Sequence, residues 1–154
     1  MLGYVLDEIF GATGHLAPSG HPERPARAEA VRDALLAAGI VGRGRQITTR
    51  IASDEELARV HGGSYLDDLT RTIPGKTGWL DADTYFSPGT WNAARMAAGS
   101  TAQLVTDVLD GALVQGISVV RSTGPPARAT CTRACRGSRR RACAVRGRAR
   151  SRNR

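Results

Sequence analysis

Along the first 120 positions, large apolar residues come in short runs or at helical spacing, separated by polar stretches dense in glycine and proline. Gly3-Tyr4-Val5-Leu6 has three consecutive large residues followed by acids, which predicts a short buried strand. Residues 11–25, rich in Gly, Pro and Ser, predict a loop. Pro25 suits the first turn of a helix; Ala28, Val31, Leu35, Leu36 and Ala38 then recur at helical spacing until Gly39 stops it. Val31 and Leu35 are expected to face the core. Residues 47–51 are rich in β-branched side chains and predict a second strand, after which Ser53 and Glu56 form a capping box that opens a short helix through Val60.

Gly62-Gly63-Ser64 breaks the chain before a short helix at Tyr65-Leu66-Asp67-Asp68-Leu69, which Pro74 and Gly75 end together with Gly78. Residues 81–89 are polar and contain proline, so they read as irregular. Residues 90–109 place Ala94, Ala97, Ala98, Ala102, Val105 and Leu109 near a 3.6-residue period. They predict the longest helix, rich in small residues that allow close packing on a sheet, with Gly111 near its end. Ile117-Ser118-Val119-Val120 reads as a buried parallel strand. Strands alternating with helices predict an α/β fold with right-handed crossovers around a parallel sheet.

Charge divides the chain in two. From Arg121 to Arg154 there are twelve Arg, all three Cys and no acidic residue, whereas residues 1–120 hold ten bases and all 14 acids, a net of −4. The overall +8 therefore averages two unlike segments. Only about 120 residues have the composition of a folded domain, which sets a small core. No apolar run reaches 18 residues and the first residues lack a basic, cleavable leader pattern, so a cytoplasmic protein without a membrane span is expected. Cys131, Cys135 and Cys143 are odd in number and form neither a disulfide framework nor a paired zinc-binding spacing.

Several separated motifs resemble the amino-terminal half of the histone deacetylase superfamily, especially its bacterial and class II-like members, which include acetylpolyamine amidohydrolases. The motifs are His21-Pro22-Glu23-Arg24-Pro25-Ala26-Arg27, Glu56-Leu57-Ala58-Arg59-Val60-His61 followed by Tyr65-Leu66, the stretch from Asp81 and Asp83 to Pro88, the alanine-rich helix with Ala97-Ala98-Gly99, and Gly116-Ile117-Ser118-Val119-Val120-Arg121. The resemblance covers residues 3–121. It implies the N-terminal part of a three-layer arginase/deacetylase-like parallel sheet over residues 1–121, followed by a disordered, Arg-rich tail over residues 122–154.

The resemblance also implies hydrolysis of acetyl-lysine or acetylpolyamine amides with zinc. In that family the strand matching Val119-Val120-Arg121 continues Pro-Pro-Gly-His-His-Ala, and the paired histidines are the acid/base groups. Here the chain continues Ser122-Thr123-Gly124-Pro125. Nucleotides that encode Pro-Pro-Gly-His in one frame can encode Ser-Thr-Gly-Pro in a neighbouring one, so a frame slip after Arg121 is expected. The family's Asp-x-His pair, second Asp, histidine pair and Tyr all fall beyond Val120 in family order, and the only histidines are His15, His21 and His61. The expectation is a truncated, inactive chain with no catalytic residue and no metal ligand of its own.

Of the family's remaining site residues, His21 and Pro22 match the loop lining the substrate entrance, and Arg27 matches an arginine that lines the channel below the metal and helps acetate leave. Glu23, Arg24 and Arg27 can equally pair with one another at a helix start. His61 reads as a hydrogen-bonded residue at a helix end, and Asp81 and Asp83 as structural rather than ligating. Twelve arginines without acids would also bind nucleic-acid phosphates non-specifically. A small basic nucleic-acid-binding protein is thus the alternative, although the tail has no aromatic residue for base stacking. A sheet without its later strands would leave an open edge and uncovered apolar faces, predicting poor solubility or partial melting.

Overall fold

Leu2–Val5 forms β1, the central strand, whose consecutive residues Gly3, Tyr4 and Val5 are all buried, so both of its faces are covered. In the computed structural model, which describes residues 1–11 and 13–121, β1 is flanked in parallel by β2 (Arg45–Gln46) and β5 (Gln115–Ser118), in the order β2-β1-β5. Between them lie α1 (Ala26–Ala37), α2 (Ile40–Arg43), α3 (Asp54–Ala58), α4 (Gly63–Thr72) and α5 (Thr90–Leu109). A second, antiparallel ribbon joins β3 (Gly78–Trp79) to β4 (Tyr85–Phe86). The parallel sheet with its helices is the expected α/β arrangement. The predicted tail over residues 122–154 lies outside the described residues.

One core packs between the sheet and α5. Val5, Phe10, Ile47, Ala97, Leu104 and Leu113 are buried together. Gly3 and Gly116 sit opposite one another in the β1–β5 register and form a slot for Leu104. A Cβ on Gly116 would lie 2.7 Å from the Leu104 side chain, and one on Gly3 would lie 3.0 Å from it. The helix can therefore approach the sheet closely only because both positions lack a side chain. Gly99 does the same on another flank, where an added Cβ would meet Ala52 N and Arg50 O at 2.5 and 2.6 Å. A second cluster of Leu69, Ile73 and Phe86 joins α4 to the ribbon.

Several local expectations need correction. The second strand forms at Arg45–Gln46 rather than over 47–51. After Ile47 N donates to Tyr4 O, the chain leaves the ladder and binds α5: Arg50 N donates to Ser100 Oγ and Ala52 N to Arg95 O. The last strand likewise ends at Ser118, although Val119 N still donates to Val5 O. Residues 81–89 are not wholly irregular, because Tyr85–Phe86 pairs with Gly78–Trp79.

Both long helices present other faces than their sequence spacing suggested. On α5 the buried positions include Ala93, Ala97, Ser100 and Leu104, while Val105 and Leu109 are exposed. Close approach at Gly99 turns Ala93, Ala97 and Ser100 inward together with Leu104, and leaves Val105 and Leu109 outside. On α1 no residue is buried; Val31 is 48% exposed and Leu35 only partly covered. Its apolar stripe is only partly covered among the described residues.

The capping box forms as predicted: Ser53 Oγ accepts from Glu56 N, and Glu56 Oε2 accepts from Ser53 N at 2.8 Å. The Arg50 guanidinium grips the same carboxylate through two bonds of 2.9 and 2.7 Å. This forked contact, helped by the cap, holds the Glu56 carboxyl down at about 2. Arg95 fixes α3 from the α5 side by donating to Ala52 O and Asp54 Oδ1, each at 2.7 Å.

Candidate functional site

Just beyond β5, Arg121 enters the underside of the loop that leads from the 3-10 turn Glu8–Phe10 to α1. Its side chain is 4% exposed. Nη1 donates to His15 O at 2.8 Å and to Gly11 O at 3.4 Å. Nε lies 3.0 Å from Glu23 Oε1, an ion pair whose direction is too oblique for a hydrogen bond, and Nη2 is buried with no partner among the described residues. Burial pushes the Arg121 pKa down, with Glu23 opposing. Arg121 therefore ties a strand end to a loop that has almost no regular structure.

Glu23 is the hub on the loop side. Its Oε2 also accepts from Arg27 Nη1 at 2.7 Å, so one carboxylate joins the buried Arg121 to the surface of α1. His21 caps this turn: its Nδ1 accepts from Glu23 N at 3.1 Å, and its ring packs against Trp79 at a centroid distance of 5.9 Å. Trp79 in turn meets Tyr85 edge-on at 5.2 Å. The β3–β4 ribbon thereby forms a wall for the loop.

His15 on the same loop is fully buried. Its Nδ1 lies 2.7 Å from Thr90 Oγ1, which accepts from Ser87 N at 2.8 Å, while Ser87 Oγ accepts from Leu16 N at 3.0 Å. These contacts pin the loop to the first residue of α5. His15 Nε2 has no partner among the described residues. Burial, followed by the charge on Arg121, lowers the His15 pKa below 6.5, with Glu23 opposing and His21 adding slightly.

That shift sets a pH dependence. A histidine with a folded-state pKa below its unfolded value binds its proton more tightly in the unfolded chain. Its contribution to stability is complete above pH 6.5 and declines as pH falls below it. Thermal melts from pH 8 to pH 5 are expected to show a falling melting temperature, with the slope between pH 6.5 and 5 reduced in His15→Gln. An unchanged slope in that variant would assign the acid sensitivity elsewhere.

The structure brings only some of the expected residues together. His21 joins the buried cluster. Pro22 is exposed on the loop, and Arg27 has a side chain 63% exposed and paired with Glu23 at the helix start. His61 follows α3 and packs on the Tyr65 ring at 5.8 Å. Asp81 Oδ1 accepts from Asp83 N, so that pair shapes a turn. His15, Thr90 and the clamping role of Arg121 were not foreseen. An arginine directly after the apolar run Ile117-Ser118-Val119-Val120 was the available signal, since a charge at that place must be paired.

Zinc finds no fitting donor set here. Among the described residues no group of three His, Cys, Asp or Glu side chains converges. His15 Nδ1 is taken by Thr90 and His21 Nδ1 by the backbone of Glu23; the Nε2 atoms of both rings are buried without a partner among the described residues, but no third His, Cys, Asp or Glu group converges with them. What the cluster can do is hold a loop in one shape. None of the described helices is long and apolar enough to cross a membrane.

A family model described as the histone deacetylase domain matches residues 21–135. The human polyamine deacetylase HDAC10 is 40% identical over 114 residues, covering 70% of this chain and 17% of that protein. Histone deacetylase 15 of Arabidopsis thaliana is 36% identical over 105 residues, 68% of this chain and 19% of that protein. A histone deacetylase-like amidohydrolase of Pseudomonas aeruginosa is 31% identical over 108 residues, 70% of this chain and 28% of that protein. The crystal structure of the HDA15 HD domain superposes with a TM-score of 0.69 at 30% identity, covering 78% of this chain and 35% of that one. The chain thus spans between about a seventh and somewhat over a quarter of the curated relatives it matches.

Proposed function

The chain belongs to the histone deacetylase family, and from that membership we propose that it carries the opening part of a zinc-dependent amide hydrolase whose reading frame is lost after Arg121. The family reaction is removal of an acetyl group from an amine, on acetyl-lysine or an acetylated polyamine. HDAC10 is named as a polyamine deacetylase and the Pseudomonas protein as an amidohydrolase, so an acetyl-amide substrate is the shared chemistry. A cytoplasmic location goes with this reading. The observation that supports inactivity is the missing donor set: hydrolysis of this kind needs a bound metal with an open position, and no group of three His, Cys, Asp or Glu side chains that could hold one converges among the described residues.

On this reading His21, Pro22 and Arg27 belong to the loop near the substrate entrance and the acetate path, with Glu23 and Arg121 holding that loop in shape. Sequencing the nucleotides around codon 121 tests the frame. A neighbouring frame that continues Pro-Pro-Gly-His-His is expected; a clean read with no deacetylase-coding frame downstream would sink the proposal.

A second reading, a small nucleic-acid-binding protein, is favoured by one observation, the twelve arginines without an acid from residue 121 onward. Its discriminating result would be salt-sensitive binding of RNA or DNA that a cell requires and that deletion of residues 122–154 abolishes.

A further inference from the structure

The loop over residues 13–25 forms no strand or helix, and none of its residues belongs to either buried apolar cluster. What holds it in place is polar. On one side His15 Nδ1 meets Thr90 Oγ1 at 2.7 Å and Leu16 N donates to Ser87 Oγ at 3.0 Å, which ties the loop to the start of α5. On the other, Arg121 Nη1 donates to His15 O at 2.8 Å, which ties it to the end of β5. One residue thus gives its ring to one anchor and its carbonyl to the other.

The surroundings of that ring suit its neutral form. Arg121 approaches from the strand end, Glu23 and His21 from the loop itself, and Tyr85 from β4 with ring centroids 6.4 Å apart, while the α5 side presents the uncharged Thr90 backed by Ser87. Glu23 already serves both Arg121 and Arg27, and Glu29 and Arg27 of α1 stand behind Arg121. A protonated His15 would be a third cation around the Glu23 carboxylate, with its Nε2–H buried and without an acceptor among the described residues. The lowered pKa of His15 agrees with this balance. Opening the loop gives the ring to water and removes both costs, whereas the cluster of Val5, Ile47, Ala97, Leu104 and Leu113 lies outside the loop and can stay packed. We propose that His15 is an acid-released latch: on taking a second proton its ring frees the loop over residues 13–25 from α5 and from the end of β5, while the sheet and α5 stay folded. His21 leaves its contact with Trp79 as the loop moves. The latch stands on the loop's own contacts and does not depend on the reading of the protein as a family fragment.

Hydrogen exchange on the full 154-residue chain tests it, at pH 7.5 and pH 5.5 and with rates corrected for the intrinsic effect of pH. An open loop whose histidine titrates at the ordinary 6.5 gains about tenfold in population over that interval. Protection over residues 13–25 is therefore expected to fall about tenfold, while that of residues 93–109 on α5 holds. His15→Gln, which keeps an uncharged polar partner for Thr90, should remove the fall, and His21→Gln should leave it in place. If His15→Gln already exposes the loop at pH 7.5, the imidazole NMR signals of the unsubstituted chain decide: those of His15 must move together with the loop amides as pH falls. The latch is overturned if protection over 13–25 is the same at both pH values, if α5 loses protection by the same factor, if the fall survives in His15→Gln or disappears in His21→Gln, or if the loop amides change without the His15 ring.

Discussion

Restoring the downstream frame after Arg121, on the proposed frame slip, is expected to give a chain that hydrolyses acetyl-lysine peptides or acetylated polyamines, whereas the 154-residue chain is expected to release no acetate. The expected gain is at least about 10⁶-fold over the uncatalysed reaction, the lower end of enzymatic accelerations. So large an effect follows from what the described residues contain. His15 and His21 are held by hydrogen bonds that shape a loop, Asp81 closes a turn, and no metal-binding group forms among them. Acetate release should be measured for both chains with and without zinc. The chain as written should match buffer in every condition, and the restored chain should lose its turnover to a chelator. Acetate release by the chain as written would overturn the assignment.

Arg121→Met is the substitution with the largest expected effect on stability, a loss of about 3 kcal/mol, in the range for removing one partner of a buried ion pair. The change would strand the carbonyls of Gly11 and His15, now bound by Nη1, and would leave Glu23 with Arg27 alone. An unpaired buried acceptor costs about 1–3 kcal/mol, which makes the total reasonable even though Glu23 is partly exposed. Since small domains are stable by only about 5–15 kcal/mol, this is a large fraction of the whole. Urea denaturation should show the lower midpoint, and limited proteolysis should begin to cut between residues 13 and 25. The double variant with Glu23→Gln should be less destabilised than the two single changes added together, because both remove the same contact. Strict additivity would show that the two side chains act apart.

The elements were more legible than their faces. The run Gly3-Tyr4-Val5-Leu6, the Ser53–Glu56 box and the long helix over 90–109 each carry local signals, and all three form where expected, with the first strand one residue earlier. The second strand was misplaced because β-branched content over 47–51 records local preference, whereas Ser100 and Arg95 on α5 capture that backbone. Val105 and Leu109 fit the 3.6-residue period of the helix, yet α5 packs at Gly99 and Leu104 with both of them exposed. At the site, the loop motif containing His21 and Arg27 was visible. Its counterpart Arg121 lies 98 residues from Glu23, and nothing in local sequence joins positions so far apart.

Sequence by itself determined the α/β class, the parallel strands, the family motifs and the break in composition near residue 120, because these rest on residue type, local periodicity and order along the chain. Tertiary structure alone decided which carboxylate holds Arg121, that His15 is buried and neutral-favouring, and that among the described residues α1 buries no side chain and β5 pairs on one side only. Those outcomes depend on which distant segments exclude water from one another, and a polar group's partner is chosen by that exclusion rather than by its neighbours in sequence.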